Sequence, residues 1–520
     1  MVRRAAAYLS GGDAKAAALS ARRALQMNPG NASAIRIMAD IADRDADPSA
    51  VDWWRKVVNL QPHRASDVLA FVRAALRVHD AAAAELALDG LEQDAKQTAE
   101  YYAASAQLAV FKKNTVAAES NWQTACDLAP NQKDYQLQLA LVRLDATDAA
   151  KRDLGRKTLS GFRNDPKQRA AATRALILDG LAHNNATDNL QSLGSELAGY
   201  SEALFADRLL YLDVLRRSQD PALDEYLKDL EQEATSQPDN VANLLSWMNN
   251  NENSPTAIVF SRSLPADMRN TWPVGPAIAT AYVSLKDWAG LEQLTASTEW
   301  SQFDFLRHAF RSRALREQEK KFEAEQEWVA AQKAAFSQPQ SLLLLTRTTA
   351  AWGWEAEKVE LLWLLTKANE TKLPALRALY EHYGGTSDTV GLYRTLVRLV
   401  ELMPEDLILQ NNLAQVSLLL RTDVDRATRI AADLKNKAPS NGAFVSTYAF
   451  SLWTRGDLEG ARRAMDQLGQ EQLRDPSVAV YYGVILAAVG QREKAQEYLR
   501  NASQAHLLPE ERALVAKAKE

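Results

Sequence analysis

The sequence predicts an all-α chain folded as an α-solenoid, a right-handed superhelix of about fourteen or fifteen two-helix hairpins. Three observations carry this. Counting back from Pro29, Pro62 and Pro130 meets a small residue twelve positions earlier (Ala17, Ala50, Ala118) and a second apolar residue five positions earlier (Ala24, Val57, Ala125). Near the other end, Gly456, Ala461 and Leu468 are followed, each 34 positions on, by Gly490, Ala495 and Ala502. Between such landmarks the apolar residues keep helical spacing, as in Val478, Tyr481, Tyr482, Ile485, Leu486 and Val489, which lie along one stripe of an α-helix. Helices of this kind bury one face on a partner helix and another on the next hairpin, so function is sought on a long surface rather than in one pocket.

Each element has its own reason. Met1 enters the first unit about three positions late in the 34-residue register, which shortens the first helix to residues 2–10, before Gly11 and Gly12. Gly12 and Asp13 form the turn between the first helix of the unit, A, and the second, B, because glycine tolerates the dihedrals of a tight turn. Ala17 and Ala24 on helix B let the helices approach closely, and Pro29 with Asn31 ends the unit, since proline lacks an amide hydrogen and clashes with the preceding turn. The last unit repeats the plan, with Gly483 on helix A, Gly490 in the turn, and Ala495 and Ala502 on helix B. This order of small, large, small and closing proline resembles the tetratricopeptide repeat family, with good matches over 1–62, 99–130, 305–336 and 405–505 and agreement by spacing elsewhere. A further resemblance to bacterial envelope-associated multi-repeat proteins implies a signal or anchor upstream, and with it a periplasmic or membrane-anchored location. A natural start at Met1 would instead leave the chain cytoplasmic.

The expected organisation is an N-terminal array over 1–235, an irregular helical segment over 236–304, a C-terminal array over 305–508 and a capping helix over 509–520. In the irregular segment Pro238, Pro255, Pro265, Pro273 and Pro276 interrupt the pattern, and Trp247, Trp272, Trp288 and Trp300 are dense. Short helices there can still pair, 276–286 with 288–297 across Lys286 and Asp287, and that many tryptophans argue against a disordered linker. At the end, Pro509, Glu510 and Glu511 open a helix that closes with Lys517 and Lys519, charges placed correctly for the helix dipole, which reads as a solvating cap.

The composition, with 520 residues, 47% hydrophobic and 24% charged, provides ample apolar surface for a helical array, and no apolar run is long enough to span a membrane. A net charge of −5 lacks the basic excess that nucleic acid requires, so no nucleic-acid partner is expected. The single cysteine, Cys126, sits beside Ala125 on a helix B face and reads as a small buried residue. No phosphate loop, zinc helix or nucleophile elbow occurs. The six histidines, His63, His79, His183, His308, His382 and His506, are never paired at helical spacing, so no metal or cofactor is expected. Glu381 beside His382 is the best local acid–base candidate, but sequence neighbours point to different helix faces. An enzyme subunit with its site at 236–304 would have to draw on Glu252, Asp267, Asp287, Glu292, Glu299 and Asp304.

The family resemblance implies a ligand groove lined by helix A, at the second, fifth, ninth and twelfth positions of each unit. In unit ten these include Arg313 and Arg316, in unit eleven Arg347, in unit twelve Arg377 and in unit thirteen Asn412; the ninth positions of units three, four and five are Arg73, Gln107 and Arg143. Arginine's planar fork holds a carboxylate or phosphate through two parallel hydrogen bonds. The competing reading pairs these arginines with acidic neighbours such as Glu317, Glu319 and Glu381. No three consecutive units satisfy the carboxylate-clamp pattern of chaperone-tail binders. Trp352 and Trp354 flank Gly353 in a turn, with Trp363 on the following helix; they read as packing where Lys358 replaces the usual alanine. Trp53 and Trp54 read as one core and one surface ring. The function expected is a non-catalytic scaffold, monomeric or weakly oligomeric, that holds a protein or extended peptide in its groove; the alternative within the resemblance is an envelope accessory of polysaccharide export or protein secretion.

Overall fold

Short polar side chains start the helices. Where helix B begins, Asp13, Asp80, Asn114, Asp287, Asp388 and Asp457 each accept a hydrogen bond from the backbone amide three residues on, at 2.8–3.1 Å, which satisfies one of the free donors of the first turn. In these turns and in those before Lys320, Trp354 and Gln491, the residue just ahead of helix B's N-cap takes the left-handed conformation. It is glycine at Gly12, Gly353, Gly456 and Gly490, but His79, Lys113, Lys286, Glu319 and Ser387 adopt the same geometry in the other turns. That substitution hides the turn signal across the middle of the sequence.

The computed structural model describes residues 1–61, 64–183 and 190–520; Pro62, used above as a closing proline, and His63 lie outside the described residues. It contains helices and, among the described residues, no strand. Seven helix pairs form the first compact unit, Met1–Trp247: Val2–Ser10 with Ala14–Met27 (pair 1), Ala32–Arg44 with Ala50–Leu60 (pair 2), Ala65–Arg77 with Ala81–Asp89 (pair 3), Ala99–Phe111 with Thr115–Leu128 (pair 4), Lys133–Leu144 with Ala149–Phe162 (pair 5), Arg169–His183 with Leu190–Ala198 (pair 6), and Phe205–Arg217 with Leu223–Ala234 (pair 7). The eighth place along the chain is taken by Pro238–Asn250, within which the unit boundary falls, and Ser254–Ser263.

The second unit, Met248–Glu520, continues with Val274–Leu285 and Trp288–Ala296 (pair 9), Asp304–Glu317 and Lys321–Ala335 (pair 10), Pro339–Ala351 and Glu355–Leu365 (pair 11), and Asn369–Thr386 and Thr389–Leu402 (pair 12). Leu407–Leu419 and Val424–Lys437 (pair 13), Gly442–Thr454 and Leu458–Met465 (pair 14), Pro476–Ala488 and Arg492–Asn501 (pair 15) and a last helix, Pro509–Lys519, complete it. In both units helix A packs on its own helix B and on helices of the preceding pair, which is the arrangement of a helical-repeat solenoid.

The small residues of the register lie where helices touch: Ala17, Ala118, Ala125, Ala461 and Ala495 are all buried. At Gly483 a Cβ would stand 2.7 Å from the Leu499 side chain of the partner helix, so the hairpin closes only without one. Cys126 is buried beside Ala125, and burial raises its thiol pKa. Trp54 is buried and Trp53 half-buried, with the Lys56 ammonium 4.7 Å over the Trp53 ring. In the proline- and tryptophan-rich segment, Val274–Leu285 and Trp288–Ala296 pair across a left-handed Lys286, while Trp300 is fully buried and Trp272 stacks on Phe303 at 3.8 Å.

Charged contacts in the first unit follow the repeat length. Arg163 pairs with Glu196, Arg169 with Glu202 and Arg174 with Asp207, each exactly one 33-residue step away, and Arg36 pairs with Asp67 by a step of 31. Hydrogen bonds from Arg169 hold the Glu202 carboxyl down at about 2. A carboxyl lowered in the folded state stabilises that state above its unfolded pKa, and the contribution disappears as pH falls through the folded value. Glu202→Gln therefore lowers the thermal midpoint at pH 7, and the gap to wild type closes as the pH approaches 2; a gap of equal size at both ends of a circular-dichroism melting series would remove this linkage.

Candidate binding surface

The most unusual charge in the second unit is Arg313, on helix A of pair 10. Its guanidinium carbon lies 4.8 Å from the centre of the Trp352 ring and 5.7 Å from that of Trp288. Trp288 opens helix B of pair 9 and Trp352 sits in the turn of pair 11, so one side chain bridges three successive pairs. Nε and Nη1 of Arg313 are buried without a hydrogen-bond partner. Burial holds its pKa below the ordinary arginine value, with Glu317 acting weakly in the other direction. The two ring faces replace part of the lost hydration, each such contact contributing about 0.5–2 kcal/mol.

Around it the turn of pair 11 and both helices of pair 10 supply a continuous aromatic bed. Trp352 meets Trp354 at 5.2 Å and Phe310 at 5.0 Å, and Trp354 meets Trp328 at 5.8 Å, all edge to face, the geometry that ring quadrupoles favour. Arg316, less than a turn beyond Arg313, stacks 3.9 Å over Trp354 and pairs with Glu357 of pair 11 at 2.5 Å. Packing is thus the main role of these tryptophans, and two arginines are embedded in it.

The other residues expected in the groove are distributed differently. Arg347 is exposed and makes neither a hydrogen bond nor an ion pair. Arg377 is exposed with only the Met403 sulfur, 3.9 Å away, as an acceptor. Asn412 donates to the Tyr380 hydroxyl at 3.0 Å, joining the A helices of pairs 13 and 12. In the first unit Arg73 is exposed and Gln107 half-buried. Arg143 is occupied, with Nε 3.1 Å from Glu119 Oε1 and Nη2 2.8 Å from Gln123 Oε1. Carboxylate partners therefore exist for Arg316 and Arg143, but they are Glu357 and Glu119 rather than Glu317, Glu319 or Glu381.

Two further arginines lie on a B helix, outside the A-helix positions that the resemblance implies. Arg394 and Arg398, on helix B of pair 12, lie 4.9 and 5.0 Å from the centre of the Trp363 ring, whose Nε1 donates to the Tyr383 hydroxyl at 3.0 Å. Both are exposed and neither meets a carboxylate. Their i, i+4 spacing was the available signal. The second unit thus displays Arg347, Arg377, Arg394 and Arg398 without acidic partners, in addition to the half-buried Arg313.

Of the six carboxylates named in the proline-rich segment, Glu252, Asp267 and Glu299 are exposed, and the other three are engaged in the scaffold. Asp287 caps a helix, Glu292 accepts from Lys320 and Gln318 at 2.8 Å, and Asp304 pairs with Arg307. His382 Nδ1 is 3.5 Å from Glu355, and its sequence neighbour Glu381 is exposed. No cluster of three or more metal-ligating side chains occurs among the described residues, and none of the described helices is long and apolar enough to cross a membrane.

No known family profile and no curated protein matches the chain. Solved structures similar to it include the crystal structure of the APC/C hetero-tetramer Cut9-Hcn1, at 12% identity and a TM-score of 0.29 over 99% of this chain and 95% of that one. Another is the structure of Naa15/Naa10 bound to HypK-THB, at 14% identity and a TM-score of 0.25 over 99% of this chain and 70% of that one. At these identities and scores no site or partner is transferred from either.

Proposed function

We propose that the chain is a non-catalytic scaffold that binds a protein or extended peptide, and that the arginine and tryptophan surface of pairs 9–12 contacts carboxylates of that partner. The observation that carries this is Arg313, a half-buried guanidinium lying against two rings and left without a hydrogen-bond acceptor for two of its nitrogens. A buried donor without an acceptor costs about 1–3 kcal/mol, more when charged, and a carboxylate that approaches such a guanidinium forms a charge-assisted pair in a partly dry site. Arg347, Arg377, Arg394 and Arg398 add free positive charge on the same unit. A rigid repeat array presents these groups without an ordering cost of its own, so many weak contacts along a peptide add up to useful affinity. No contact favours the envelope-accessory alternative over a scaffold elsewhere.

The test is affinity capture from native lysate with wild type and with an Arg313→Glu, Arg347→Glu double variant. The variant is expected to keep its helical circular dichroism and to lose the most abundant co-purifying protein. Identical partner sets from the two chains would overturn this assignment of the surface.

A further inference from the structure

The last helix, Pro509–Lys519, does more than cover the end of the array. Glu511 is 5% exposed, and one of its oxygens accepts from both the Tyr481 hydroxyl of pair 15 and Gln415 Nε2 of pair 13, the latter at 3.0 Å. Gln415 Nε2 also reaches the Tyr481 hydroxyl directly at 2.6 Å. Neighbouring helix axes stand about 8–10 Å apart, so side chains two pairs apart meet only if the A helices of pairs 13–15 curve around a hollow. The segment leading to the helix reaches pair 12: His506 Nε2 lies 3.1 Å from Ser387 Oγ and 3.3 Å from the Gly384 carbonyl oxygen, and Thr389 donates to Glu510. Val515 is buried one turn beyond Glu511, with Leu508 and Leu514 packed on the same core. The chain's own C-terminal helix therefore occupies the hollow face of its second unit.

It does not fill that face. Beside its last turn a half-open pocket of about 150 Å³ remains, floored by Trp453, Val484, Ala487, Leu514 and Ala518 and rimmed by the charged Arg492, Lys517 and Glu520. The apolar floor of this pocket forgoes dispersion contacts that a larger side chain would make. Ala518, seven residues after Glu511, is the smallest side chain that the last helix turns toward this space, beside Leu514 and Lys517.

We propose that the inner face of pairs 12–15 is a receptor for an amphipathic helix of a partner protein, and that Pro509–Lys519 is its resident, displaceable occupant. The partner helix carries a glutamate in its first turn for Tyr481 and Gln415, an aliphatic residue four positions on, and a bulky apolar residue seven positions on, where the resident helix has only Ala518. This is recognition of a helix in a groove, read at i, i+4 and i+7. None of the arginines at 313, 347, 377, 394 or 398 takes part, so the outcome is separable from that of the arginine variants.

The test uses the full chain and fluorescein-labelled peptides of residues 505–520. A peptide with Ala518→Leu is expected to bind at least tenfold more tightly than the unsubstituted peptide and to raise hydrogen exchange at 509–519 of the chain, and adding Glu511→Ala to it is expected to lose at least tenfold. In a chain with Val515→Asp, which loosens the resident helix while Glu511 stays, the unsubstituted peptide is expected to bind at least tenfold more tightly than it does to wild type. Equal binding of the Ala518→Leu and unsubstituted peptides to the wild-type chain, or binding that leaves exchange at 509–519 unchanged, overturns the proposal whether or not the Val515→Asp chain folds.

Discussion

Trp300→Ala is expected to destabilise the second unit by about 3–5 kcal/mol, the range for deleting a fully buried tryptophan. The ring is 1% exposed and belongs to the core that includes Ala279, Leu291, Phe305 and Phe310, with Phe310 edge to face at 6.0 Å. The helix of pair 9 is shaped to receive it, since a Cβ on Gly275 would come within 2.6 Å of the indole nitrogen. That nitrogen has no hydrogen-bond partner, so Trp300→Phe removes an unsatisfied donor along with some volume and is expected to cost much less than the alanine variant. Urea unfolding followed by circular dichroism at 222 nm would report both. A loss below about 1 kcal/mol for Trp300→Ala would mean that the surrounding helices collapse into the space, contrary to the close packing inferred here.

Arg174→Ala is expected to destabilise the first unit by about 3 kcal/mol, through the charge it abandons rather than the contact it removes. Asp207 is 1% exposed and is held by Arg174 Nε at 2.5 Å and Nη2 at 2.9 Å, with the Leu204 amide as its other donor at 2.9 Å. Without the guanidinium the carboxylate must stay ionised with one amide or take up a proton, and either costs folding free energy. About a third of the Arg174 side chain remains in water, which places the effect at the low end of the range for buried pairs. Replacing both residues, Arg174→Met with Asp207→Leu, is expected to recover most of the loss, because the uncompensated charge is then gone. A double variant as unstable as Arg174→Ala would show instead that packing, not charge, is what the pair supplies.

Much of the fold was readable from residues alone because small side chains must lie where two helices nearly touch. Ala17 and Ala118 hold the same place in the repeat, Ala461 and Ala495 lie 34 residues apart, all four are buried, and Gly12 and Gly490 occupy the left-handed turn positions. The signal faded in the middle because Lys113, Lys286, Glu319 and Ser387 take those turn positions without announcing them. Of the candidate surface, the types and helices of Arg313, Arg316, Arg347 and Arg377 were legible. Their surroundings were not: Arg313 lies between Trp288 and Trp352, 25 and 39 residues away in sequence, and no local pattern specifies such a meeting. The ion pairs of the first unit lie between these cases, since the 33-residue step from Arg163, Arg169 and Arg174 to their carboxylates is present in the sequence, but only packing of successive pairs brings the charges together.

By itself the sequence determined that the chain is a stack of helix pairs, through the periodic placement of alanine, glycine and capping aspartate, whose effects act within one hairpin and so repeat with it. Only the tertiary structure decided which charges are satisfied, and that the C-terminal helix turns back onto pairs 12, 13 and 15. Those contacts join residues about a hundred positions apart, such as Glu511 with Gln415 and Glu510 with Thr389. They depend on how a small rotation between neighbouring pairs accumulates into curvature, a sum over many interfaces that no single residue encodes.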